Sequence, residues 1–211
     1  MPCKNLRKSP TGRAKDQHLA ILHLIMGSSL KNNIEILQYN LQRSQTITHS
    51  LLNHPDSMKF MALLVQEQYW SEYMKSSLTH HSWTLIQPTT TTNYMTHHLR
   101  PRSAIYINNH IISTSSFTPI KLPFNDVTAV SINMEESSKP MLLMNIYNPG
   151  NENLITPLRQ YLQNNKITQE YQMIIIGGDF NLHHPLWNPQ GYNKPDNQAD
   201  KLIKMVGDYG L

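Results

Sequence analysis

From residue 34 onward, short apolar runs alternate with polar stops: Ile34–Tyr39, Phe60–Val65, Trp83–Ile86, Ala104–Ile107, Val127–Ile132, Met141–Tyr147 and Met173–Ile176. Each is bounded by Asn, Pro, Ser, Gly or Asp, the punctuation expected around β-strands. The runs MALLV and MIIIGG are apolar without alternation, which predicts strands covered on both faces. Three stretches between them carry a helical period. Ser44–Asn53 places Ile47, Leu51 and Leu52 on one side. Thr156–Asn164 offers Thr156 as N-cap and Pro157 at the first turn, with Leu158, Tyr161 and Leu162 on one face. Asp196–Val206 is expected to be capped by Asp196, to line up Ala199, Leu202, Ile203 and Val206, and to stop at Gly207 and Gly210. The tract Pro88–Asn93 reads as a low-complexity loop. Interleaved strands and helices predict an α/β sandwich.

Composition narrows the function classes. The 211 residues suit one domain, and Cys3 is the single cysteine, so a disulfide framework and a Cys-rich zinc module are excluded. Charged residues make up only 15%, and the net charge of +4 sits entirely in the first 17 residues, where Lys4, Arg7, Lys8, Arg13 and Lys15 face Asp16. The remainder balances 13 basic against 13 acidic residues, which excludes a strongly basic nucleic-acid-binding body and leaves room for a local patch. No run approaches the roughly 18 apolar residues of a membrane span, so no membrane partner is expected. Leu19–Met26 only faintly imitates a secretory signal, since His23 interrupts it, and residues 1–32 read as a basic, disordered leader.

The way the apolar runs end is informative. IEILQYN stops at Asn40, FMALLVQE at Glu67, MLLMNIYNPG at Tyr147 and Asn148, and MIIIGGDFN at Asp179 and Asn181. Strands running the same way deliver their C-terminal residues to one rim, where ligands bind in α/β sheets. Hard oxygen donors gathered there would suit Mg²⁺ or Mn²⁺ better than zinc. Taken singly, each residue has a plainer reading: Glu67 as a solvated edge residue, Asp179 as a turn cap, Trp187 as a packed loop anchor. His183-His184 is one of three His-His pairs, with His80-His81 and His97-His98, so it does not by itself indicate a metal.

ILQYN, LLVQE, NIYNP and GGDFN, in that order, resemble the endonuclease/exonuclease/phosphatase superfamily. GDFNLHHPLWNP, RPRSAIYIN and NQADKLIKMVGDYGL are further similar to the endonuclease domain of non-LTR (LINE-type) retrotransposons. The resemblance covers about residues 33–211. It implies a DNase I-like four-layer α/β sandwich, two packed mixed β-sheets flanked by helices, and Mg²⁺- or Mn²⁺-dependent cleavage of DNA. No small-molecule cofactor is implied, and a reverse transcriptase would be the partner domain in an intact element. By the same resemblance, Glu67 and Asn40 hold the metal, Asp179 orients and deprotonates the attacking water, and Asn181 and Tyr147 contact the phosphate. His184 and Trp187 would shape a DNA-facing loop, and Arg100 and Arg102 would touch backbone phosphates. An intracellular, nuclear location is implied as well.

The family's terminal Ser-Asp-His motif is absent from residues 1–211. The chain therefore resembles an incomplete domain (33–211), expected to melt low and broadly and to cut weakly. A catalytically inactive relic with weak nucleic-acid binding is the alternative expectation, and a phosphomonoesterase of the same superfamily a third.

Overall fold

The apolar runs pair into two mixed sheets. The computed structural model describes residues 19–24, 34–88, 100–134, 137–150, 153–188 and 196–209. The first sheet joins β1 (Leu19–Leu24), β2 (Ile34–Asn40), β3 (Ala62–Gln66), β4 (Trp83–Ile86) and β5 (Ser103–Asn108) in the order β1-β2-β3-β5-β4. The second joins β6 (Phe117–Ile120), β7 (Val127–Ile132), β8 (Met141–Tyr147) and β9 (Met173–Asp179) in chain order. Among the described residues, only β2–β3 and β8–β9 run parallel, and the other strand pairings are antiparallel.

Strand alternation assigns each face. Ile34 and Ile36, Ala62 and Leu64, Ile105 and Ile107 meet Val130, Ile132, Met141, Leu143 and Ile175 between the sheets. The opposite parity in the first sheet, Leu37, Leu63, Val65, Ala104 and Tyr106, packs with Leu52 of helix α1 (Gln45–Asn53). In the second sheet, Leu142, Met144 and Ile146 pack under α2 (Ile155–Asn164) and α4 (Ala199–Tyr209), while α3 (Ile167–Glu170) contributes Ile167. The order is helix, sheet, sheet, helices: the four-layer DNase I-like sandwich. Each fully buried apolar side chain, such as Leu158 of α2, contributes about 1.5–3 kcal/mol relative to exposure.

Several local expectations are corrected. Leu19–Leu24, assigned to a disordered leader, pairs residue by residue with β2 as an antiparallel edge strand. Its apolar run is long enough to continue a sheet, and the basic residues before it carry no information about pairing. Residues 1–18 and 25–33 lie outside the described residues, as does all of the Pro88–Asn93 tract but Pro88. The β6 strand went unpredicted because Pro119 interrupts it, and proline is tolerated at a sheet edge. Thr156 does not cap α2: Leu154 precedes the helix and Thr156 lies inside its first turn. Asp196 spends its carboxylate on the His183 backbone N–H (2.7 Å) and ring (3.1 Å), so α4 starts at Ala199. That helix runs through Gly207, where the Arg159 Nε–Asp208 Oδ2 bond of 2.8 Å ties its last turn to α2. The strand MIIIGG is only partly covered, because β9 is an edge strand among the described residues. No helix among the described residues is long and apolar enough to cross a membrane.

Candidate active site

The two parallel strand pairs face each other across the sandwich, so β2, β3, β8 and β9 bring their C-terminal ends to one rim. On β2, Asn40 has the parity of Ile34 and Ile36 and points between the sheets. Its Nδ2 donates to Asp179 Oδ2 at 3.0 Å, across 139 positions of sequence, while its Oδ1 accepts the Gln42 N–H at 2.9 Å. Tyr147 and Asp179 are direct ladder partners. The Tyr147 hydroxyl lies 3.4 Å from Glu67 Oε1. Asn181 Nδ2 donates to the Asn148 carbonyl at 2.8 Å, and its own N–H donates to Asp179 Oδ1 at 3.2 Å. Asn40, Glu67, Tyr147, Asp179 and Asn181 thus form one connected group.

Two of these residues hold left-handed backbone conformations, Glu67 at φ 47° and Asn181 at φ 46°. Asparagine tolerates that region; glutamate there carries strain of the kind that clusters at functional sites. Surrounding bonds hold Glu67 in place: its N–H donates to the Arg102 carbonyl at 2.8 Å and its carbonyl accepts from Arg43 N–H at 2.6 Å. Burial pushes the Tyr147 phenol above its usual range, and the nearby charges of Glu67 and Asp179 push the same way against the opposing Arg102. The phenol therefore stays a neutral donor at physiological pH.

The arginines take other roles than the expected phosphate contacts. Arg102 Nε and Nη2 bind Asp126 at 3.1 and 2.5 Å, and the guanidinium lies 4.9 Å from the Tyr147 ring centre. It braces the tyrosine from behind, because a buried carboxylate 24 positions downstream recruits it. Arg100 pairs with Glu72. The cation beside Glu67 is instead Arg43, at 3.5 Å, on a turn where Gln42 and Arg43 both have positive φ. Trp187 is anchored through Nε1 to the Leu182 carbonyl (2.8 Å) and packs on His184 at 5.0 Å, yet remains 46% exposed. His184 faces Asp200 of α4 at 3.6 Å. Loop and helix start are thereby fastened together.

Sequence reasoning missed a polar layer directly beneath the rim. Gln66 Nε2 donates to Asn145 Oδ1 at 2.6 Å, and Asn145 Nδ2 donates to the Val65 and Ala104 carbonyls at 2.8 Å each. Beside them Ser103 and Thr128 hydroxyls meet at 2.9 Å, and Gln38 bonds both backbone groups of Gly178 at 2.7 and 2.9 Å. All share the inward parity, and that parity inside otherwise apolar strands was the available clue.

No group of three or more His, Cys, Asp and Glu converges among the described residues. Glu67 and Asp179 with the Asn40 carbonyl oxygen form a hard-oxygen set. Mg²⁺ takes one or two carboxylates and keeps several waters, so these residues fit it, and they do not fit a soft-ligand zinc cage.

A family model described as endonuclease-reverse transcriptase matches residues 141–211, the segment carrying Tyr147, Asp179 and Asn181. That segment is about a third of the chain and is similar to that family. Among solved structures, the chain is similar in fold to the endonuclease domain of TRAS1, a telomere-specific non-LTR retrotransposon. That match has 20% identity and a TM-score of 0.57, covering 83% of this chain and 71% of that one. A humanised D. rerio TDP2 matches at 11% identity and TM-score 0.39, covering 84% and 66% of the two chains. The human Nocturnin catalytic domain matches at 13% and 0.41, covering 82% and 71%. No curated protein matches the chain significantly.

Proposed function

We propose that this chain is the catalytic part of a divalent-metal-dependent DNA endonuclease of retrotransposon type. The observation that carries the reading is the bond from Asn40 to Asp179, with Tyr147 set between Glu67 and Asp179 at the mouth of two parallel strand pairs. Glu67 and Asn40 would hold Mg²⁺ or Mn²⁺, with the second lone pair of the Asn40 oxygen still available. When bound, the ion supplies Lewis-acid neutralisation of a phosphodiester.

The remaining chemistry belongs to the side chains. Asn40 and the Asn181 N–H each hold one oxygen of Asp179, which aims the carboxylate at a water as general base, a contribution of roughly 10²–10⁴ in rate. The protonated Tyr147 and the second Asn181 amide hydrogen donate to nonbridging phosphate oxygens where charge develops. Exposed Trp187 on its His184-packed loop offers a stacking face to the nucleic acid.

Nicking of supercoiled plasmid by the purified chain with Mg²⁺ tests the reading. Activity is expected in the parent and is expected to fall at least about 100-fold in Glu67→Gln and in Asp179→Asn. Absence of nicking in the parent, or undiminished nicking in both variants, refutes it and favours a non-catalytic nucleic-acid-binding chain.

A further inference from the structure

Four consecutive residues, Gly178 to Asn181, carry the proposed base and one phosphate donor, and they leave β9, an edge strand among the described residues, just where its ladder with β8 ends. An edge strand has one row of backbone N–H and C=O groups that no neighbouring strand satisfies. Of two carboxamides outside the expected catalytic set, Gln38 takes that place on the open side, and Asn148 holds the same segment from the β8 side. Gln38 Oε1 accepts the Gly178 N–H at 2.9 Å while its Nε2 donates to the Gly178 carbonyl at 2.7 Å, as an adjacent strand residue would. Gln38 stands two positions before Asn40, so the strand period points both at β9. Asn148, fully buried, donates its N–H to the Asp179 carbonyl and its Nδ2 to the Phe180 carbonyl, each at 2.8 Å. Its own carbonyl accepts Asn181 Nδ2 at 2.8 Å. Its Oδ1 is buried with no partner among the described residues, so only donation sets the orientation of the amide.

We propose that Gln38 and Asn148 are positioning residues: a carboxamide brace that fixes Gly178–Asn181 and so aims Asp179 and Asn181 at the substrate. The kinetic side of this proposal rests on the phosphodiesterase reading above. Neither residue touches the phosphate in this scheme, so the loss should fall on turnover. Displacement of a catalytic group by about 1 Å can cost about 100-fold.

Gln38→Met and Asn148→Ala test it, assayed well below each variant's melting midpoint and normalised to folded protein. The expected result is a kcat lowered about 10- to 100-fold with KM within about threefold. Unchanged kcat, or a rise confined to KM, overturns the proposal. Hydrogen exchange provides an arm independent of cutting. In Gln38→Met the Gly178 amide should exchange at least about tenfold faster, with the amide of Ile175 unchanged. Unaltered Gly178 exchange overturns the brace whether or not the chain cuts. Loss of nicking in Glu67→Gln with Gly178 exchange at the parental rate supports both readings separately; a parent that does not nick removes the phosphodiesterase reading, and exchange then decides the brace alone.

Discussion

Gly178→Ala is the sharpest test of how the site is built. Gly178 has φ +148°, and a Cβ there would sit 2.0 Å from the carbonyl oxygen of Ile146, its ladder partner, and 2.8 Å from that residue's carbon and nitrogen. Ordinary heavy-atom contacts lie at about 3.5–4.0 Å, so the strands must separate by more than 1 Å or the residue must leave its conformation. Neighbouring strands normally lie about 4.7–4.9 Å apart and tolerate little of that. Rotation to negative φ would turn both backbone groups away from Gln38. Conformational strain of about 1–3 kcal/mol and two lost hydrogen bonds at about 1 kcal/mol each give a cost of about 3–5 kcal/mol. For a chain of this length that lowers the melting midpoint by about 6–20 °C. Gly207→Ala is the matched control: a Cβ there meets nothing within 4 Å, and the position lies inside α4. The same chemical change should stabilise by about 1 kcal/mol, raising the midpoint by about 2–4 °C. Thermal unfolding followed by circular dichroism reads both. A Gly178→Ala midpoint within about 2 °C of the parent would refute the close-approach argument.

Two further outcomes follow from the titrating groups. Burial raises the Tyr106 hydroxyl to about 12, against a lowering hydrogen bond from Ser77, so the fold favours its protonated form. Its contribution is whole below pH 10, the unfolded value, and is lost as pH rises to about 12, amounting to about 2–3 kcal/mol. Urea titrations at pH 8 and pH 11.5 should show this loss in the parent and much less in Tyr106→Phe; equal losses would refute it. Asp196 is held below the usual carboxylate range by the His183 backbone N–H, and next by the His183 ring. Its tether of the loop to α4 is present above about pH 3.9 and is lost as pH falls through the depressed value. Asp196→Asn should therefore speed exchange of the His183 amide at pH 7 but change it little near pH 2, a pattern that equal acceleration at both would exclude.

Much of the sandwich was legible because apolar alternation is local. Trp83–Ile86, Val127–Ile132 and Met141–Tyr147 emerge with the predicted bounds, and Ser44 caps α1 through Ile47 N–H at 3.2 Å as an N-cap serine should. Strand endings were enough to nominate Asn40, Glu67, Tyr147, Asp179 and Asn181. What stayed hidden depends on partners distant in sequence. Arg102 reads as a free cation until Asp126 closes on it, and α4 seems to end at Gly207 until Asp208 meets Arg159. Gln66 and Asn145, 79 positions apart, are both fully buried and bonded to each other, a pairing that neither strand announces by itself. Proline concealed β6, and a basic preamble concealed β1.

Those hidden carboxamides explain why the charged rim can stand on an apolar core at all. Along the inner faces the side chains grade from aliphatic (Ile36, Leu64, Leu143) through uncharged polar (Gln38, Gln66, Asn145) to acidic (Glu67, Asp179). A carboxylate placed directly against the aliphatic layer would lose hydration without compensation. A neutral amide loses far less, and it can donate and accept at once, so one layer of amides links both sheets and leaves the next residue outward free to be charged. The Gln66–Asn145 pair illustrates the cost of that device: Gln66 Oε1 is buried with no partner among the described residues, one position before Glu67. Such a network is worth its members only when they remain together. Substitution of Asn145 by Leu, similar in size, would take from Gln66 its shorter hydrogen bond, leaving the Leu64 carbonyl at 3.3 Å, and would remove the side-chain donor to the Val65 and Ala104 carbonyls. The consequence falls next to the rim, because Gln66 is the last residue of β3 and Glu67 follows it directly.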